Sequence, residues 1–322
     1  MDVTIPNQST EERPFNASYG KMMMWFFLIS DALTFSGFLG AYGLMRYKFL
    51  DTWPIADQVF THVPFTHTPM PMIYVAFMTF ILIFSSVTMV LAVDAGHHMN
   101  KKKVTIYMLL TIIGGLIFLG SQAWEWKHFI SGDKGAIQLN SGEIVQFVKK
   151  DAEGNYHQVG LKSFATHTNN ERVQQTRSTG IWFNKEASVP AVSLTQVLDG
   201  FKHTPGLAIK TEKIDLEKRE KIIVTGDAAA KLLANSKQVV FGANLKVNEY
   251  GKTLFGDFFF FITGFHGFHV FSGILINIII FFNVILGTYE RRGHYEMVEK
   301  VGLYWHFVDL VWVFVFTFFY LV

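Results

Sequence analysis

The chain has 322 residues, half of them hydrophobic and 16 % aromatic, with 33 phenylalanines and a mean hydropathy of +0.26. A soluble domain rarely needs so many phenylalanines, whereas a lipid-facing helix bundle uses them readily. The absence of cysteine excludes thiolate metal sites, thiolate-ligated haem and disulfides, and a net charge of +2 argues against a nucleic-acid partner.

Residues 1–20 read as a polar tail containing Glu11, Glu12 and Arg13. The tail lacks the basic-then-apolar pattern of a cleavable signal peptide, so the first apolar stretch is expected to be a retained span. A spanning helix needs about 20 mostly apolar residues to cross roughly 30 Å of hydrocarbon. Five stretches qualify, at 22–47, 71–95, 104–126, 254–286 and 301–322. The first three fall within residues 21–130 and the last two within 254–322. Between them, residues 131–253 have the character of a soluble mixed α/β insertion. Alternating runs at 143–148 and 221–224 read as strands, and 226–233 reads as a capped helix start.

Basic residues of the short loops predict the orientation. Lys101, Lys102 and Lys103 follow span two, Arg291, Arg292 and Lys300 follow span four, and Lys21 precedes span one. These belong on one side, expected to be the cytoplasm together with the N-terminus. The C-terminus and the insertion are expected on the periplasmic side, since long segments translocate largely regardless of charge.

An ionised side chain at mid-bilayer costs about 2.5–3.5 kcal/mol on the insertion scale, so each one needs a reason. Asp31 lies ten residues past Lys21, roughly 15 Å along a helix. His266 and His269 are three apart on span four and share a face, as do His306 and Asp309 on span five. Counting depth along each helix predicts two polar clusters, Asp31 with His266, and His269 with His306 and Asp309. These groups have four open readings: interhelical hydrogen bonds that fix packing, a metal site of three His and one Asp, axial haem ligation, or handling of protons or lipid headgroups. Gln122 and Glu125 end span three, and Glu125, flanked by Trp124 and Trp126, is expected to meet headgroups and water in an aromatic belt. Gly114, Gly115, Gly264 and Gly267 are expected to let helices approach closely. His97 and His98 read as a solvated loop.

Three segments resemble signatures of the haem–copper oxidase subunit III family, that is, of cytochrome c oxidase subunit III. They are Phe26-Phe27-Leu28-Ile29-Ser30-Asp31, Thr263-Gly264-Phe265-His266-Gly267-Phe268-His269-Val270, and Tyr304-Trp305-His306-Phe307-Val308-Asp309-Leu310-Val311-Trp312. A weaker fourth is Gly115-Leu116-Ile117-Phe118 with Gln122 and Glu125. The resemblance implies an all-α membrane protein of five transmembrane helices in two groups around a lipid-filled V-shaped cleft. It implies a subunit of a bacterial aerobic respiratory terminal oxidase in the inner membrane, with no catalytic centre, haem, copper or other metal of its own. Such a subunit packs on catalytic subunit I, alongside subunit II, binds phospholipid, and supports oxygen and proton delivery and stability during turnover. By the same resemblance Asp31 replaces the family's intramembrane glutamate, Lys21 a basic residue at a lipid phosphate, and Glu299 a carboxylate before the last span.

The chain departs from the family in two ways. It has five spans where many members have seven, and the insertion replaces a short link. The placement of the insertion suggests contact with cytochrome c or another respiratory complex. Other readings are the related subunit of a quinol oxidase or nitric oxide reductase, a stand-alone membrane metalloenzyme using His266, His269, His306 and Asp309, and a transporter with a relay at Asp31. For the last, no inverted repeat or broken helix is evident in the sequence.

Overall fold

The computed structural model describes residues 18–61, 72–151, 154–165, 192–215, 217–218 and 220–321. Most of the polar tail, residues 62–71 (with the predicted start of span two), residues 166–191 of the insertion and Val322 lie outside the described residues. Helices α1 (Tyr19–Lys48), the short α2 (Ala56–Val59), α3 (Ile73–His97) and α4 (Lys101–Ser131) precede the insertion. The insertion contains β1 (Ala136–Leu139), β2 (Ile144–Lys150), β3 (Tyr156–Val159), α5 (Leu161–Phe164), α6 (Leu194–His203), β4 (Leu207–Asp215), β5 (Glu220–Val224), α7 (Gly226–Leu233) and β6 (Ser236–Val240). The chain returns as α8 (Thr253–Ile285), α9 (Thr288–Arg292) and α10 (Glu296–Val315), which continues into a π turn, Phe316–Leu321.

Among the described residues five helices are long and apolar enough to cross a membrane, and they correspond to the five predicted spans. A helix answers every backbone polar group within itself, which a hydrocarbon solvent demands. The chain is a multi-pass membrane protein. Lys21, the loop after α3, and α9 gather at one end, where Lys101 pairs with Glu290 at 3.5 Å and Lys21 with Glu299 at 2.7 Å. The insertion occupies the opposite end.

Helices α3, α4, α8 and α10 form a four-helix bundle, and α1 leans on α8 and α10 from outside. Its buried residues are Leu28, Phe35 and Tyr42, a stripe one residue wide. Lipid tails are as apolar as leucine, so close packing and interhelical hydrogen bonds hold such a bundle rather than hydrophobic transfer. The indole of Trp305 shows how. It fills the space left by Gly115 on α4 and Gly273 on α8, where a Cβ would come within 2.6 Å and 3.0 Å of its ring. Its Nε1 donates to Ser85 Oγ at 3.1 Å. Thr88 and Thr111 join α3 to α4 at 2.8 Å, and Trp312 Nε1 donates to Thr79 Oγ1 at 2.9 Å. Of the glycines expected at close approaches, Gly114 meets Ser85 and Gly264 meets Trp126, but Gly267 faces open space.

The insertion is a largely antiparallel sheet in the order β5-β4-β2-β1-β6, with β3 pairing β2 beside β1. One face packs Ile137, Val145, Phe147, Ile209 and Val239 against α5, α6 and α7. Its other face lies on the bundle. Gln146 Nε2 donates to Glu249 O at 2.7 Å, Lys210 Nζ to Gln58 Oε1 at 2.5 Å and Lys221 Nζ to Tyr250 O at 3.4 Å, and Ile214 N donates to Asp51 O at 2.7 Å. The strands read at 143–148 and 221–224 are β2 and β5. The helix read at 226–233 is α7, although its N-cap Thr225 makes no capping bond with its side chain.

Candidate functional site

The aromatic rungs between α1 and α8 set which polar groups meet. Phe35 packs on Phe265 at 5.1 Å, Phe38 on Phe261 at 4.7 Å and Tyr42 on Phe258 at 5.8 Å, an antiparallel register. The same register places Asp31 Oδ2 3.2 Å from Nε2 of His269. Nδ1–H of His269 donates to the Phe265 carbonyl at 2.8 Å. Tyr304 OH donates to the His269 carbonyl at 3.1 Å and lies 2.7 Å from Ser272 Oγ.

The predicted pairing of Asp31 with His266 is therefore corrected to Asp31 with His269. Side chains on a helix lean toward its N-terminus. In an antiparallel pair the two leans converge, so the partners' Cα atoms are offset along the axis. Counting Cα depth alone picked a residue one turn too early. His266 is fully buried and turns into the bundle, where Nε2–H donates to the Val308 carbonyl at 3.0 Å and the ring packs on Phe118 and Trp312. His306 does not join His269 either. Its Nδ1 lies 2.6 Å from Ser86 Oγ on α3, and Asp309, one turn further along α10, keeps Oδ1 buried without a partner among the described residues. The four groups proposed as metal ligands thus do not converge. Among the described residues no three His, Cys, Asp or Glu side chains are grouped to hold a metal ion.

Glu125 differs from its expected setting. It is 6 % exposed, not bathed by headgroups, because Phe60 after α2, Phe129 and Tyr250 close over it at the insertion end. Its Oε2 accepts from Gln122 Nε2 at 2.8 Å and from Tyr320 OH at 3.1 Å. At the other end, Lys21 and Glu299 are both half-buried and paired, and Lys300 bonds Glu296 at 3.1 Å. His97 and His98 are exposed as expected, although His97 is the last residue of α3 and only His98 lies beyond the helix.

An apolar groove of about 670 Å³ runs between α1 and α10. Ala32, Ser36, Gly40 and Gly43 line one wall, and Phe307 and Phe314 are on the other. Added Cβ atoms at Gly40 and Gly43 would meet nothing within 4 Å. The end formed by Ala32 and Phe35 adjoins the Asp31–His269 pair.

Sequence reasoning missed the charges under the insertion. Burial, with Lys221 and Lys134 nearby, pushes the Lys210 amine down to about 7. Burial pushes Lys221 down to about 8, with Glu212 opposing the shift. Burial raises the Glu249 carboxyl, while N–H groups of Gly242, Asp133 and Gly135 at 2.8, 3.2 and 3.1 Å favour its ionised form. Only the strand read at 221–224 touched one of these positions, Lys221, while Lys210 and Glu249 lie outside both strands read from the sequence. The neighbours that bury them lie far away in the chain.

Residues 239–322, which hold α8 and α10, match the family model described as cytochrome c oxidase subunit III. A probable cytochrome c oxidase subunit 3 of Rickettsia conorii is 38 % identical over 114 residues, 33 % of this chain and 38 % of that protein. Cytochrome c oxidase subunit 3 of Marchantia polymorpha is 44 % identical over 64 residues, covering 20 % of this chain and 24 % of the relative. That of Thermostichus vulcanus is 41 % identical over 76 residues, 21 % and 34 % of the two chains. The matched part of the chain spans between 24 and 38 % of the length of these curated relatives.

Proposed function

Starting from residues 239–322 belonging to the cytochrome c oxidase subunit III family, we propose that this chain is the non-redox subunit III of a bacterial aerobic terminal oxidase. It packs on subunit I of that complex, near subunit II. One observation carries the reading: the intramembrane His and Asp groups that could ligate a cofactor turn toward different helices of the chain and point to separate places instead of converging. Buried polar groups used in this way fix helix packing, and they leave redox chemistry to haem and copper in the partner subunits.

The groove between α1 and α10 is the place for phospholipid. Its walls are apolar, and an acyl chain gains about 0.8 kcal/mol per CH₂ removed from water, but nothing from one lipid surface over another. Selection therefore rests on shape and on a headgroup contact, for which Lys21 remains the candidate, with donors beyond the one that holds Glu299. A filled groove beside Asp31 keeps the environment of the neighbouring catalytic subunit dry and supports proton and oxygen delivery and turnover stability. The chain lies in the inner membrane with Lys21 toward the cytoplasm and the insertion in the periplasm.

The insertion contacts cytochrome c or a neighbouring complex. Its sheet covers the bundle with one face, so such a contact uses the α5–α7 side or the edges. Residues 131–253 hold 17 Lys and Arg against 13 Asp and Glu, a charge balance that favours an acidic partner surface.

Purification in mild detergent tests the main reading. Subunits I and II and a haem spectrum should accompany the chain, and the spectrum should vanish from the isolated chain. Stoichiometric metal on the isolated chain would overturn it. Deletion of 133–241 with unchanged electron input and unchanged complex composition would refute the proposed contact.

A further inference from the structure

The carboxyl of Glu125 joins α4 to the π turn after α10 through one oxygen and leaves the other without a partner in the described protein. Both acceptor positions of Oε2 are taken, by Gln122 Nε2–H and Tyr320 O–H. Oε1 is buried and has no hydrogen-bond partner within the described protein. The Glu125 side chain borders a cavity of about 20 Å³ that Tyr74, His128, Tyr250, Phe60 and Phe129 also line. A space of that size holds one water molecule, provided polar groups line it. The polar groups are the Tyr74 hydroxyl from α3, the His128 ring from the next turn of α4 and the Glu125 carboxyl itself. Nδ1–H of His128 donates to the Trp124 carbonyl at 2.9 Å, so in the neutral ring Nε2 is the basic nitrogen.

A second observation is independent of the cavity. Helix α10 gives up its regular winding at Phe316 for a π turn, the form that recurs at functional positions. This turn carries the Tyr320 hydroxyl onto Oε2, within a ring stack of Tyr320 on Phe60 at 4.7 Å and Phe60 on Phe129 at 6.0 Å. The titratable groups around the carboxyl are Tyr74 on α3, His128 on α4, Tyr250 in the turn returning from the insertion and Tyr320 on the π turn. None is a cation at neutral pH unless His128 takes a proton, and no lysine or arginine pairs with Glu125 among the described residues. An ionised carboxylate there would leave a bare buried oxygen, which costs several kcal/mol.

We propose that Glu125 is a proton-exchange site at the insertion end of the membrane domain, carrying its proton on Oε1 and binding a single water in the adjoining cavity. The proton on Oε1 is donated to the water oxygen, and a water proton passes to Nε2 of His128. Return of a proton by the reverse path restores the acid, so the exchange is balanced and needs no other reactant. Phe60 and Tyr250 form the lid, and the insertion supplies the second of them. The site therefore opens toward the solvent only when that aromatic stack parts.

Infrared spectroscopy of the full chain in lipid nanodiscs tests this, with hydrogenated and deuterated buffer as the probe. A protonated carboxyl band should be present at neutral pH, disappear in Glu125→Gln, persist in Asp31→Asn and Asp309→Asn, and shift in deuterated buffer. His128→Gln should slow that shift, which a purely structural role for Glu125 would leave alone. No band lost in Glu125→Gln means an ionised carboxylate and overturns the proposal. A lost band that never shifts in deuterated buffer means a sealed acid and overturns it equally. If Glu125→Gln does not fold, Tyr320→Phe takes its place. Removing one donor from Oε2 should move the carbonyl band, and a band that stays still would overturn the assignment.

Discussion

Asp31 Oδ2 lies 3.2 Å from Nε2 of His269, and Nδ1–H of the ring is already committed to the Phe265 carbonyl, so a hydrogen bond across this contact needs a proton between the two atoms. The contact is then either a protonated carboxyl donating to Nε2 or a carboxylate facing an imidazolium. Asn in place of Asp donates its amide N–H to Nε2 and copies the first arrangement. Asp31→Asn should therefore leave thermal stability and incorporation into the complex close to those of the parent. Asp31→Leu orphans Nε2 and should cost about 1–3 kcal/mol. Asp31→Lys puts an ammonium beside the ring and should impair incorporation most. Equal tolerance of Asn and Lys, read by co-purification, would rule out a buried protein-facing pair.

Gly115 and Gly40 are both membrane glycines, yet they should answer alanine differently. A Cβ at Gly115 would come within 2.6 Å of the Trp305 ring, itself buried between two helices. Overpacking of this kind costs about 1–3 kcal/mol, so Gly115→Ala should lower the unfolding temperature in detergent. Gly40→Ala should not, since its Cβ meets nothing within 4 Å. A larger side chain, as in Gly40→Phe, should leave the chain folded and lower the phospholipid that co-purifies with it. Unchanged lipid content would remove the groove from the lipid-binding account.

Glu249 joins the two crossings between insertion and membrane domain by accepting from Asp133, Gly135 and Gly242. Glu249→Ala leaves the buried N–H groups of Gly135 and Gly242 and the part-buried one of Asp133 without that acceptor, each buried loss worth about 1–3 kcal/mol before relaxation. Hydrogen exchange at residues 132–135 and 242 should rise sharply while exchange in α8 stays slow. Equal acceleration throughout would mean that the insertion and the bundle unfold as one unit.

Lys210 makes the junction sensitive to pH. Its folded-state pKa near 7 lies below the ordinary lysine value of 10.5, so the unfolded chain binds more protons between those limits. Stability then rises with pH through that window and is least favoured by Lys210 below about 7. Lys210→Met should stabilise the insertion most near pH 6, with a benefit on the order of 2–4 kcal/mol that fades toward pH 10. A benefit independent of pH would show that the amine is neutral throughout or solvated in the folded protein.

The five spans were legible because an uninterrupted apolar run of bilayer length has few other uses. The pairing of Asp31 was not legible, because sequence gives the depth of a Cα but not the lean of its side chain or the aromatic rungs that set the register. Glu125 was misplaced for a different reason. Its flanking tryptophans suggested an interface, but the groups that bury it, Phe60, Tyr250 and Tyr320, lie at distant points of the chain, and Tyr320 arrives through a change in helix winding. In the insertion, alternation revealed β2 and β5, while the β4 strand that joins them carries the charges facing the bundle.

The chain leaves α4 and comes back toward α8 through a doorway one backbone pair wide. Ala243 N donates to Phe129 O at 3.0 Å, and neither Gly132 (φ +67°) nor Gly242 (φ +66°) could carry a side chain without striking the backbone across the opening. A domain hung from so narrow a doorway can be lost, lengthened or exchanged without re-threading a single membrane helix. The same opening would accept any other folded unit whose ends lie as close together, which makes this position a natural port for fusing a reporter or a donor protein to the membrane domain.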